Sequence, residues 1–288
     1  MAFTRIQEYI SRDNGVAGTL LIPKLIMPIL RDEADKNLIP KELCAIYYSA
    51  SQTKNYGSSW NINQVTADTM DVREVGEGAE IPMDAISEEN RTLTPVKYGV
   101  AIRITREMVE DSQFDLFARN IKYAGKRMAE KETELIITAL HATTNAVSGG
   151  AAITIANIAE GMNYLERYDY MPTDILIGDE VLQDLRNIDT FVEADKAGNT
   201  DMMKTGFIGT LFGMKAARFS RNATPTPTTY CKYAYIIDRS NAYTIGYKRD
   251  ITVENFELPT YDMSGACITM RVDVKYLRDY ATCEITTS

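Results

Sequence analysis

Histidine is nearly missing from this chain: His141 is the only one in 288 residues. Any Ser-His-Asp or Cys-His set would have to be built on His141, and no G-x-S-x-G nucleophile elbow occurs. The four cysteines, Cys44, Cys231, Cys267 and Cys283, form no C-x-x-C pair and have no histidine near them in sequence. That removes zinc-site spacing. They read as ordinary buried or half-buried thiols of a chain made in a reducing cytoplasm. No apolar run approaches the ~18 residues of a membrane helix, and residues 1–15 lack the apolar core of a signal peptide. The sequons at Asn90 and Asn222 therefore carry no weight. An excess of basic residues is also lacking. With 31 Lys+Arg against 40 Asp+Glu the net charge is -9, which is not the balance of a cytosolic nucleic-acid reader, local basic patches apart.

Loops that cradle phosphates or cations are absent as well. Gly76 and Gly78 lack the third glycine and the strand-to-helix context of a dinucleotide loop. Gly206, Gly209 and Gly213 lack the Gly-Lys-Ser/Thr ending of a phosphate loop, so turn and bulge roles explain both sets better. The acidic series Glu74, Glu77, Glu80, Asp84, Glu88 and Glu89 has no D-x-D-x-D-G spacing. It reads as a solvated or partner-facing edge. His141 falls near the end of a long helical pattern and reads as a helix-end residue. No catalytic set survives, and an enzyme is the least expected class.

What the chain does have is a distinctive run from Asp68 to Thr105. An acidic arm with two glycines and a proline leads out, and an alternating strand leads back, with Val96, Tyr98, Val100, Ile102 and Ile104 on one side. If the two arms pair, each of roughly a dozen residues, the hairpin projects about 40 Å at ~3.3 Å per residue. An isolated two-stranded hairpin is marginal in water, so such an arm predicts assembly onto another subunit. From Asp68 to Thr94 it carries eight carboxylates against two arginines, Arg73 and Arg91.

A long helix is expected from Phe114 to about Thr143, of ~28 residues and roughly 42 Å. Phe114, Phe117, Ile121, Ala124, Met128 and Leu135 form its apolar stripe. Asp111 and Ser112 are the expected caps, and Asn145 with Gly149 and Gly150 the expected stop. Arg119, Lys122, Lys126, Arg127 and Lys131 occupy the opposite arc. That arc admits two readings: a solvated face tied to neighbouring glutamates, or a phosphate-facing surface with no base readout.

Around these parts, Met1 to Ala50 is irregular and apolar, with Pro23, Pro28 and Pro40 limiting it to short helices. Ala151 to Arg249 reads as an inserted α/β domain. It holds a helix near Asn157–Tyr168, a buried strand Asp174–Ile177, and a helix from Gly178–Asp179 carrying Val181, Leu182 and Leu185. Tyr235–Ile237 and Tyr243–Ile245 read as paired strands turning at Ser240–Asn241. From Ile251 long alternating strands return, as in Met270, Val272, Val274 and Tyr276.

The order of these parts resembles the major capsid proteins of tailed double-stranded DNA viruses with the Hong Kong 97-type fold. The residues that carry it are Val75-Gly-Glu-Gly-Ala-Glu-Ile-Pro82, Lys97-Tyr-Gly-Val-Ala-Ile-Arg-Ile-Thr105 and Glu107-Met-Val-Glu-Asp-Ser112. They are similar to the family's extended loop, its return strand and the start of its spine helix. Asp174-Ile-Leu-Ile and Gly209-Thr-Leu-Phe-Gly213 look like the axial domain, and Ile251–Ile285 like the strands that close the peripheral domain.

The resemblance implies an α+β fold with an N-terminal arm over 1–50, an extended loop with flanking strands over 51–110, and the spine helix of the peripheral domain over 111–150. The axial domain would span 151–249 and the closing strands 250–288. It also implies a structural protein of the virion, tiled as hexamers and pentamers around double-stranded DNA held without sequence specificity. Its partners would be further copies of itself, a portal, and separate scaffolding and cement proteins where these are used, with no membrane. Neither a cofactor nor a metal is expected. The extended loop would grip a neighbour through Arg73, Glu74, Glu77, Glu80, Ile81, Pro82 and Met83, and the spine helix would turn Arg119, Lys122 and Lys126 towards DNA. Some members cross-link their shells through a lysine of the extended loop. No lysine lies between Lys54 and Lys97 here, so a non-covalent shell is expected. The extended-loop motif also begins too early for a fused scaffolding domain of about a hundred residues. The alternative is the shell of an encapsulin-type bacterial nanocompartment enclosing a cargo enzyme, against which the long apolar N-terminal segment weighs.

Overall fold

A computed structural model describes residues 43–67, 73–78, 80, 83, 87–105, 107, 116–143, 145–188, 210–219 and 231–287. Most of the expected N-terminal arm, the helix caps Asp111 and Ser112, and the loop residues Ile81 and Pro82 lie outside them.

Two sheets and one long helix make the body. The first sheet has four strands: β1 (Ile46–Tyr48), β4 (Val96–Thr105), β10 (Tyr243–Leu258) and β11 (Met263–Tyr276), in the order β1-β10-β11-β4. Alternation makes it two-faced. On β11 the side chains of Ala266, Ile268, Met270, Val272 and Val274 are buried, while Cys267, Arg271 and Asp273 on the opposite face stay half-open. The helix α1 (Leu116–His141) covers the apolar face with Ile121, Ala124, Met128, Ile136, Ile137 and Leu140. Each of the Ile, Leu and Met side chains among them, fully buried, is worth ~1.5–3 kcal/mol. The expected stripe holds for Ile121, Ala124 and Met128, and Leu135 is half-buried at its margin.

The second sheet has six strands. These are β5 (Ala146–Gly150), β6 (Asp174–Ile177), β7 (Thr210–Leu211), β8 (Met214–Arg218), β9 (Tyr233–Ile237) and β12 (Thr282–Thr287), in the order β5-β12-β9-β6-β8-β7. Helices α2 (Ile155–Glu166) and α3 (Asp179–Asn187) bury Ile158 and Leu165, and Val181 and Leu185, in its core. Thr154 and Asn157 close α2 with a reciprocal capping box. A two-residue turn, Phe212–Gly213 with both φ positive, joins β7 to β8.

Several expectations are corrected here. The strand Val96–Thr105 does not return against the acidic arm. It pairs antiparallel with β11, from Thr105 opposite Met263 to Val96 opposite Val272. Ile102 packs there into the cluster that α1 covers, which a free hairpin could not supply. The projecting pair is β2 (Trp60–Ala67) with β3 (Ser87–Leu93), and Thr94–Pro95 separates it from β4. Tyr235–Ile237 and Tyr243–Ile245 do not pair either. Between them Asp238 accepts from the Asn241 and Ala242 amides through its carbonyl and from Ser240 N and Asn241 Nδ2 through its carboxylate. That turn carries the chain from one sheet into the other.

The expected segment limits shift for the same reason. β10 enters the four-stranded sheet at Tyr243, while β5 and β12, placed with the spine and closing strands, both join the six-stranded sheet. Nor do Gly149 and Gly150 stop the helix. It ends at His141, Asn145 donates from Nδ2 to the Asp279 and Thr282 carbonyls, and both glycines lie in β5.

Close packing at two points can be tested. A Cβ on Gly246 would lie 2.5 Å from Trp60 Cζ2, whereas one on Gly76 would meet nothing within 4 Å. Gly246→Ala should cost ~1–3 kcal/mol of unfolding free energy, and Gly76→Ala should leave the denaturant midpoint unchanged. Cys283 is fully buried in β12, and burial, followed by the charges of Glu284 and Glu160, pushes its thiol up to about 12. Folding thus favours the protonated thiol. Its contribution is complete below the free-thiol pKa of ~8.5 and is lost as pH climbs towards about 12. Iodoacetamide at pH 8 should leave Cys283 unmodified in the folded protein and label it after denaturation, read by peptide mass spectrometry.

Candidate functional site

The feature that stands apart from the body is the β2–β3 hairpin. Its register runs from Trp60 opposite Leu93 at the root to Ala67 opposite Ser87 at the far end. Eight residues of β2 carry the chain outward by about 26 Å at ~3.3 Å per residue. Beyond them Arg73, Glu74, Val75, Gly76, Glu77, Gly78, Glu80 and Met83 are all exposed, Met83 to 94%. Gly78 holds a positive φ of 78° in a tight turn with Glu77, a conformation that glycine adopts without strain. Three carboxylates, those of Glu74, Glu77 and Glu80, are therefore presented on a projecting tip.

The root is rigidly seated. Trp60, Ile62, Leu93 and Leu277 form a small separate core with Ala45 and Tyr48 against it. Trp60 packs edge-on to Tyr48, ring centroids 6.2 Å apart, and tilted against Tyr56 at 5.8 Å. Burial raises the Tyr48 phenol above its ordinary value, with the Tyr56 charge a smaller cause. Only glycine at position 246 leaves room for the indole. On β3, Arg91 donates from Nη1 to the Tyr276 hydroxyl at 2.9 Å and lies 4.4 Å over the centre of that ring. Its Nη2 stands 3.6 Å from Asp279 Oδ1. The Thr94 amide donates to Asp273 Oδ2 at 2.7 Å, and Arg271 Nη2 donates to the Pro95 carbonyl. Lys248 Nζ donates to the carbonyls of Thr53 and Tyr56 ahead of β2. The hairpin thus leaves the body at an angle fixed by aromatic packing and by contacts to both long strands.

The basic arc of α1 divides into two parts. Glu130 is buried at the helix surface and is met by Lys126 at 3.8 Å and Arg127 at 2.9 Å, and Lys131 reaches Glu134 at 2.8 Å. Those cations neutralise carboxylates of their own helix, as the i,i+3 and i,i+4 spacing allows. Arg119 instead lies 5.7 Å from the ring centre of exposed Tyr123 and lowers its phenol pKa, first by hydrogen bonding and then by charge. Lys122, the residue before Tyr123 and three after Arg119, is exposed. His141 ends the helix with Nδ1 2.6 Å from Glu284 Oε2 on β12. Among the described residues no group of three or more His, Cys, Asp or Glu could hold a metal ion, and no helix is long and apolar enough to cross a membrane.

Of the expected interface residues, the structure places Arg73, Glu74, Glu77, Glu80 and Met83 together on the exposed tip, while Ile81 and Pro82 fall outside the described residues. The arm Trp60–Ala67 and the root residues Trp60, Arg91 and Leu93 escaped the sequence reading. The signal was present in Trp60 and Ile62, which are buried, alternating with Asn61 and Asn63, which are exposed.

No curated protein matches the chain by sequence. Solved structures resemble it strongly in fold. A chain from Mycobacterium phage Che8 superposes with a TM-score of 0.71 at 18% identity, over 85% of this chain and 89% of that one. The capsid structure of cyanophage P-SCSP1u gives 0.66 at 13% identity, over 87% and 88%. The mature capsid of bacteriophage PhiM1 gives 0.63 at 13% identity, over 84% and 85%. A family model described as phage capsid protein matches residues 88–282, which takes in β4, the long helix and both sheets apart from β1 and all but the first residue of β12. The chain belongs to the phage capsid protein family and has the mixed helix-and-sheet fold of tailed-phage major capsid proteins.

Proposed function

We propose that this capsid subunit tiles as hexamers and pentamers of an icosahedral shell around double-stranded DNA, and that the β2–β3 hairpin is its inter-subunit clasp. The observation that carries the proposal is a rigidly rooted two-stranded arm ending in an exposed tip with Met83 and three glutamates. Two strands alone are marginal in water; laid on a neighbour, the arm buries its apolar atoms and pairs its charges.

Each exposed ion pair contributes only ~0–1 kcal/mol, so packing must supply most of the affinity while charge sets register and orientation. With no lysine between Lys54 and Lys97, the arm has no amine for an isopeptide bond and the shell is held non-covalently. Arg119 and Lys122, both exposed on α1, are the residues proposed to face DNA. Lys126 contributes less there, because it already pairs with Glu130. A portal and separate scaffolding and cement proteins are the further proposed partners. A nanocompartment shell is not favoured, since the matching family model is that of phage capsid proteins.

Glu77→Lys with Glu80→Lys should sharply reduce the yield of closed particles counted by negative-stain microscopy, and a normal yield would remove charge from the docking account. Boiled particles on an SDS gel should run as a single band near the 32.3 kDa chain mass, and a ladder of linked subunits would contradict a non-covalent shell.

A further inference from the structure

The outer face of the four-stranded sheet, away from α1, carries an unusual row of like charges. Lys97 on β4 stands directly opposite Arg271 on β11, and Arg271 stands directly opposite Arg249 on β10. Side chains of paired residues point to the same face, and neighbouring strands lie ~4.8 Å apart, so three cations share about 10 Å. Like charges directly opposite one another destabilise a sheet. Lys97 and Arg249 are exposed, and Arg271 is held half-buried by its bond to the Pro95 carbonyl. Among the described residues none of the three has a carboxylate within ion-pair distance. The nearest acids are otherwise engaged or displaced. Asp273 accepts from the Thr94 amide, Asp250 accepts from the Ile251 amide, and Glu254 lies further along opposite Cys267. Beside the row Gly99 on β4 stands opposite Thr269 and Ala101 opposite Cys267.

We propose that the row Lys97–Arg271–Arg249 is the receiving surface for the acidic hairpin tip, Glu74, Glu77 and Glu80, of a second copy of this chain. The proposal rests on the capsid reading above and names the surface that the clasp holds. A subunit cannot supply its own tip. Its hairpin is rooted at Thr94–Pro95, immediately before Lys97, and seven residues of β3 carry the tip about 23 Å away at ~3.3 Å per residue. Complementary charge selects the occupant: a cation row with no carboxylate partner among the described residues meets a carboxylate cluster whose own neighbouring cation is Arg73.

The test uses the full chain and counts closed shells by negative stain, with free subunits measured by sedimentation. K97E/R249E should lower shell yield by about tenfold or more while the melting temperature of the free subunit stays near the parent's. Adding E74K/E77K/E80K to that same chain should restore shells, because every contact is then reversed in sign. Parental yield from K97E/R249E, or no recovery in the combined chain, overturns the proposal and leaves the capsid reading intact. A parental chain that forms no shells overturns the capsid reading itself. If K97E/R249E fails to fold, K97Q/R249Q decides: its shells should lose the salt sensitivity of the parent's between roughly 0.1 and 1 M, and an unchanged salt response overturns the proposal. Normal empty shells from K97Q/R249Q with less DNA packaged would assign the row to nucleic acid and overturn it likewise.

Discussion

Burial of the long helix is the constraint on which the rest of the molecule depends. The stripe of α1 from Ile121 to Leu140 covers the apolar face of β10, β11 and β4, and the same cluster takes in Leu176, Tyr235 and Ile237 from the six-stranded sheet. One helix therefore joins two sheets whose strands come from distant parts of the chain. Without it Ile102, Ile268 and Met270 would face water. Its charged side follows from the same geometry, since Lys126 and Arg127 neutralise Glu130 where that carboxylate is drawn into the packed surface.

With the body fixed in this way, the chain can support an arm that is not stable alone. The hairpin borrows rigidity from the sheet through Trp60 over Gly246, Arg91 on Tyr276, and Thr94 on Asp273. Tyr276 and Asp279 lie where β11 gives way to β12, so Arg91 fastens the arm at the junction of the two sheets. Rigid at the root and exposed at the tip, it has the form of a connector between subunits, in keeping with a family whose business is building shells.

Local patterns were legible in the sequence, and pairings were not. The helix, the strand Asp174–Ile177 and the alternation of Val96–Thr105 and Met270–Tyr276 could be read because one face of each is buried at a fixed period. Period does not reveal partners. Val96–Thr105 looked like half of a hairpin because a turn-rich acidic tract precedes it, yet it pairs with β11 and Ile102 packs into the cluster beneath α1. Likewise Tyr235–Ile237 and Tyr243–Ile245 are near in sequence, and the Asp238 turn still sends them to different sheets. The exposed tip was legible as an acidic, glycine-bearing stretch. Its root and the cation row were not, because both exist only once strands far apart in sequence are set side by side.

The central claim is that this subunit joins its neighbours through the rooted hairpin. A cryo-electron microscopy map of particles assembled from the full chain tests it most directly. The account predicts closed shells in which continuous density for β2–β3 crosses from each subunit onto the next. Shells in which the hairpin lies folded against its own subunit would contradict it.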